Sequence, residues 1–201
     1  GVDLAAVNAR IRGLAGAQSA DTAARCVREG VRLLVGRGRL DGPGAVVAEL
    51  ASGGTQRIEA DAILLATGAR PRTLDSALPD GERILTWEQV YELTEVPERL
   101  VVVGSGVTGA EFACACQALG SEVVLVSSRE HVLPGEDPEA AQVLEDVFER
   151  RGMTVLRRTR ATAATRAGDS VVVTLADGST VTGSHCLMAV GSVPNTEDLG
   201  L

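Results

Sequence analysis

The chain has 201 residues, of which 45% are hydrophobic and 23% charged, with a net charge of −8. That composition is globular rather than disordered and leaves length for one large domain or two small ones. The negative balance argues against a nucleic-acid surface, although arginines cluster locally (Arg150, Arg151, Arg157, Arg158, Arg160, Arg166) as a solvated helix end and strand rim.

No apolar run reaches the ~18 residues a membrane helix needs, and no leader pattern is visible, which points to the cytoplasm. The four cysteines (Cys26, Cys114, Cys116, Cys186) show no CxxC spacing, and only His131 and His185 could join them, so no metal site is expected. They read as reduced, small buried hydrophobes. The start at Gly1 within helical sequence and the end at Leu201 suggest an interior piece of a longer polypeptide.

Residues 2–29 read as two helical segments meeting near Gln18–Asp21, with Ser19 or Asp21 capping the second. "VRLLVGRGRL" (31–40) predicts a short strand broken at Gly36 and Gly38. "DGPG" (41–44) and "SGG" (52–54) supply turns on either side of a strand at 45–50. The resulting meander ends in "ADAILLATGARPR" (60–72), expected to be a buried strand stopping at Thr67-Gly68. Residues 73–98 form a crossing segment with one short helix near Trp87–Leu93.

From Arg99 the pattern becomes regular β/α alternation. Strands are predicted at 100–104, 122–127 and 153–158, helices at 107–119 and 137–151, then two strands joined by "ADGS" (176–179) and a buried strand at 185–190. Such alternation implies a parallel sheet with helices on both faces. The domain boundary is expected at 96/97, giving segments 1–96 and 97–201.

Within the second segment, "VVVGSGVTGAEF" (101–112) places Gly104, Gly106 and Gly109 between a strand and a helix, with another strand about 20 residues on. In that context Gly104 permits a tight turn and Gly106 lets a pyrophosphate approach the backbone. Gly109 lets the helix pack on the strand. Amides near Val107 and Thr108 would then face the phosphates with the helix dipole behind them. At the end of the next strand, where a carboxylate would bind a ribose 2′-hydroxyl, the chain has Ser127, Ser128 and Arg129. Hydroxyls and a guanidinium suit a phosphate, which favours NADPH while leaving NADH open. Glu130 is the one acid close enough to compete for that role.

Three stretches in this order, "ATGARPR" (66–72), "GSGVTGAEF" (104–112) with "HVLP" (131–134), and "AVGSVPNT" (189–196), resemble the FAD-dependent pyridine nucleotide–disulfide oxidoreductases. Within that family the motifs are most similar to those of lipoamide-dehydrogenase-like NAD(P)H:quinone reductases of actinobacteria. The resemblance implies a Rossmann-like α/β domain for NAD(P), a parallel sheet plus β-meander, inserted in a partial FAD-binding domain at 1–96. It implies hydride passing from NAD(P)H to FAD and on to a quinone, in a full-length homodimer. Dihydrolipoamide or another disulfide as substrate, and an isolated NAD(P)-binding module without catalysis, are the alternatives.

The same resemblance assigns residues. Gly38, Thr67, Gly68 and Ala69 would lie against FAD. Gly106 to Gly109 would hold the pyrophosphate, and Ser127 to Arg129 the adenosine ribose. Ala161 would line the adenine pocket, Val190 and Gly191 the nicotinamide side, and Glu111 would be the carboxylate near the nicotinamide and flavin. Val107 stands where many members have a bulkier residue, and Ser192 where most have arginine. The family's first FAD glycine loop, its CxxxxC segment, the later flavin motif and the dimerisation domain have no counterpart in these residues.

Overall fold

A computed structural model describes all residues, Gly1–Leu201. Contacts divide it into two units, Gly1–Ala9 with Pro71–Ser192, and Arg10–Arg70 with Val193–Leu201. The boundary expected at 96/97 falls inside the first unit.

The chain opens with α1 (Leu4–Arg28), one continuous helix rather than two. Asp3 caps it by accepting from the Ala6 amide at 2.9 Å. No second cap forms at Ser19 or Asp21. The helix runs straight through, and the Thr22 hydroxyl donates to the Gln18 carbonyl one turn back, a bond that suits a helix interior.

The second unit is built on the antiparallel meander β1 (Gly36–Leu40), β2 (Ala45–Leu50) and β3 (Thr55–Glu59). Gly36 and Gly38 lie within β1 instead of breaking it, and residues 31–35 are not a strand. A Cβ on Gly36 would come within 2.0 Å of the Glu49 carbonyl oxygen, so glycine is what allows this pair to close. The apolar run at 62–68 does not form the expected buried strand. Leu64 is 90% exposed, and residues 62–68 pair with no strand of this chain. Next come β4 (Ala69–Pro71) and, near the chain end, β13 (Ser192–Pro194), which pair as a short ribbon.

The first unit carries a five-stranded parallel sheet. Its strands are β5 (Ile84–Leu85), β6 (Arg99–Val103), β7 (Glu122–Val126), β8 (Thr154–Leu156) and β12 (His185–Met188), in the order β5-β12-β6-β7-β8. Strand side chains alternate between faces. Leu100, Val102, Val123, Leu125 and Leu187 therefore meet the helices α2 (Trp87–Val90), α3 (Val107–Leu119) and α4 (Pro138–Arg150). Their neighbours Val101, Val103, Val124, Val126 and Cys186 face the antiparallel meander β9 (Ala161–Ala167), β10 (Ser170–Leu175) and β11 (Thr180–Gly183). The expectation of helices on both faces is thus corrected: the second layer is a sheet, supplied by the inward Val171, Val173 and Leu175 of β10.

Two helix ends explain the accuracy of the α/β boundaries. Gly120 closes α3 in the left-handed conformation at φ 110°, and Asp137 caps α4, accepting from the Glu139 and Ala140 amides ahead of Pro138 in the first turn.

Candidate functional site

The chain leaves β6 toward β7 and β8 on one side, while β12 and β5 lie on the other. This reversal of strand order opens a crevice at the carboxyl ends of β6 and β12, the position where open α/β sheets bind ligands. A cavity of about 650 Å³ occupies it.

The glycine turn forms its floor. Gly104 adopts φ 109°, and a Cβ there would lie 2.2 Å from the Ala189 carbonyl oxygen. Ala189 is fixed in turn by its amide bond to the Val103 carbonyl (2.8 Å), so the turns after β6 and β12 pack backbone to backbone. A Cβ on Gly109 would lie 1.9 Å from the Gly104 oxygen. Gly106, the residue before α3, differs: nothing lies within 4 Å of the space its Cβ would fill, and it faces the cavity.

The walls come from four further stretches. Arg72 and Leu74 line one side, with the Arg72 amide bonded to the Gly191 carbonyl at 2.9 Å. Ala189, Val190 and Gly191 follow β12; Ser128, Arg129 and Pro134 follow β7; Thr159, Arg160 and Ala161 follow β8. Three arginines and no carboxylate line the cavity of a chain whose net charge is −8. The local field therefore selects for an anion.

Of the residues singled out in the sequence, Gly104, Gly106, Ser128, Arg129, Ala161, Val190 and Gly191 are brought together on this cavity. Ser127 is not on it. Fully buried, its hydroxyl pairs with that of Ser105 at 2.7 Å and meets the Arg129 amide at 3.2 Å, so it shapes the loop from beneath. Gly109 is enclosed in the turn. Val107, Thr108 and Glu111 lie on the first turns of α3 outside the cavity lining, Val107 and Glu111 being exposed. Gly38, Thr67, Gly68 and Ala69 belong to the other unit and are exposed; there Asn195 reaches the Thr67 carbonyl at 3.1 Å.

Glu130 does not enter the cavity. Its carboxylate is held by Arg158, whose own amide donates to the Arg129 carbonyl at 2.9 Å.

Arg72 and Thr159 were not singled out in the sequence as site residues, and Arg160, expected on a solvated rim, instead lines the cavity. A usable signal existed for Thr159 and Arg160, which stand at the carboxyl end of the third strand in the β/α alternation. Arg72 has no local signal, because only the fold brings residue 72 beside residue 191.

The glycine turn and the crevice at the switch in strand order make an α/β unit of the kind in which dinucleotides bind. The profile of the pyridine nucleotide-disulphide oxidoreductases matches residues 6–201, and the chain belongs to that family. It is 52% identical, over its whole length, to a protein of Mycobacterium tuberculosis named NAD(P)H dehydrogenase (quinone), covering 42% of that protein. Against dihydrolipoyl dehydrogenase 3 of Pseudomonas aeruginosa it is 38% identical over 85% of the chain and 38% of the relative. The crystal structure of LpdA from M. tuberculosis superposes with a TM-score of 0.91 at 51% identity, covering all of this chain and 45% of that one. The chain thus spans less than half the length of the relatives it matches.

Proposed function

We propose that the full-length protein is a flavin-dependent oxidoreductase that takes hydride from NAD(P)H through FAD to a quinone. The cavity after β6, β7, β8 and β12 is the pyridine nucleotide site, and the segment 97–201 is its domain. The observation that carries this reading is the open backbone of Gly106 inside an acid-free cavity bearing Arg72, Arg129 and Arg160. A diphosphate needs such a place: close approach to main-chain amides, and cations without competing carboxylates.

The residues fit the dinucleotide as follows. The amides at the start of α3 face the diphosphate, aided by the helix dipole. Ser128, Arg129 and Ala161 surround the adenosine end, and the pairing of a hydroxyl with a guanidinium there favours NADPH over NADH. Val190 and Gly191 border the nicotinamide, and Val107 leaves that end more open than a bulkier side chain would. Glu111, one turn further along α3, is assigned the carboxylate near the nicotinamide and flavin. Gly38 and Thr67 to Ala69 are the flavin contacts. Hydride chemistry belongs to the two cofactors when bound; this chain's residues bind and orient them. We place the protein in the cytoplasm as a homodimer; no helix is long and apolar enough to cross a membrane.

Anaerobic mixing of the full-length protein with NADPH tests the reading: visible flavin absorbance should bleach and return on adding a benzoquinone. No bleaching with either NADPH or NADH would overturn it. The similarity to dihydrolipoyl dehydrogenase 3 supports a second reading, a disulfide acceptor. Return of the flavin colour with lipoamide but not with quinone would favour it.

A further inference from the structure

α4 carries a fully buried carboxylate, Glu145, that lies in neither the glycine turn nor the cavity wall. Buried carboxylates occur almost only where they are paired and hydrogen-bonded, so its partners indicate what it is for. One oxygen, Oε1, accepts from the amide of Val132, in the loop after β7. The other, Oε2, accepts from Nε of Arg157 at 2.7 Å, in the loop after β8. Nδ1 of His131, cut off from solvent and without a hydrogen bond, faces the same Oε2 at 3.7 Å.

The two loops joined through Glu145 carry the cavity's adenosine side. The first supplies Ser128, Arg129 and Pro134, and the second Thr159 and Arg160. Two backbone bonds, from Arg158 to Arg129 and from Thr159 to Ser127, hold the loops at one end. The ion pair of Arg158 with Glu130 is exposed and adds little. Glu145 is the buried anchor behind both. It also fixes the residue beside Leu133, which holds a left-handed φ of 54° while donating its amide to the Ser105 carbonyl at 2.8 Å. From one carboxylate, contacts therefore run to the loops after β7 and β8 and, through Leu133, to the glycine turn after β6.

We infer that Glu145 is a positioning residue for the pyridine nucleotide, holding the loops that carry Arg129 and Arg160 at the spacing the adenosine phosphates require. This rests on the dinucleotide reading of the cavity. Its effect is on binding: the hydride-exchanging end, by Val190 and Gly191, follows a different strand.

The test uses steady-state kinetics on the full-length protein, with three variants. Glu145→Gln removes the charge and sets an amide against the Arg157 donor. Glu145→Met with Arg157→Met removes both partners, an exchange that stability often tolerates. Arg157→Lys keeps the charge at a part-exposed site and loses the fixed guanidinium geometry. KM for NADPH should rise roughly ten-fold in Glu145→Gln and in the double variant, and several-fold in Arg157→Lys, with kcat little changed. The double variant should recover thermal stability while KM stays high, separating positioning from folding. Wild-type KM in the double variant and in Arg157→Lys would overturn the proposal and leave Glu145 a stability element. If wild type itself shows no saturable response to NADPH or NADH, the dinucleotide reading fails instead.

Discussion

Gly109 lies directly beneath the carbonyl of Gly104: a Cβ on Gly109 would stand 1.9 Å from that oxygen, closer than any real contact. Two residues along the same turn from Gly104, Gly106 has open space in the same direction. The glycines of one motif therefore do different work, and substitution separates them. Gly109→Ala must push α3 off β6 and should cost about 1–3 kcal/mol, read as a lower thermal midpoint. Gly106→Ala, at an ordinary φ of −69°, should fold normally and weaken NAD(P)H binding by a similar amount. Normal binding in Gly106→Ala would remove the diphosphate from this turn.

Arg129 lines the cavity while Glu130 is turned away to Arg158. Arg129→Glu should weaken NADPH by about 1–3 kcal/mol more than NADH, measured by titration of the full-length protein. Equal losses for the two coenzymes would place the extra phosphate elsewhere.

The buried hydroxyls of Ser105 and Ser127 satisfy each other at 2.7 Å. Ser127→Ala strands the Ser105 hydroxyl and takes an acceptor from the Arg129 amide, at a cost of about 1–3 kcal/mol. Adding Ser105→Ala should restore part of that loss, so a double-mutant cycle in chemical denaturation should show clear coupling. Strict additivity would mean the pair is not formed.

Two thiols set an alkaline limit. Burial raises the Cys116 thiol from 9.0 to about 11 and the Cys186 thiol from 9.0 to about 12. Below pH 9 both are protonated whether folded or not, and their contribution is fully present. As pH climbs from 9 toward those values, the unfolded chain releases protons that the native state retains, and stability falls by up to about 1.4 kcal/mol per pH unit for each thiol. Denaturation midpoints of wild type should drop over this window more steeply than those of a Cys116→Ala, Cys186→Ala variant. At about pH 8 an alkylating reagent should leave both thiols unmodified in the native protein, as mass spectrometry would show.

The legibility of this chain followed the physics of its signals. α3 was readable to the residue because a glycine turn precedes it and Gly120 follows. β7 was readable as a continuous apolar run buried on both faces, and α4 because its apolar face repeats with the helical period. β9, "ATAATRA", was missed, since its alanines and arginine carry little strand preference and its pairing with β10 decides its state. The apolar runs at 31–35 and 62–68 misled for the opposite reason. Hydrophobicity marks a strand only when a neighbouring strand pairs with it, and neither run belongs to a sheet here. In the site, glycines and the end of β7 were legible because they are local. The burial of Ser127, the pairing of Glu130 with Arg158 and the arrival of Arg72 are tertiary facts, outside the reach of any window of sequence.

β12 enters the sheet between β5 and β6, pairing His185 with Leu100 and Cys186 with both Val101 and Ile84. Of the five strands of this sheet, the one made last is therefore a central one. During synthesis, Leu100 to Val103 must wait for it with one apolar border unpaired, a state that invites intermolecular strand pairing. Closure of the sheet is a late, long-range event, and production yield should hinge on the interval before residues 185–188 emerge, when chaperone protection matters most.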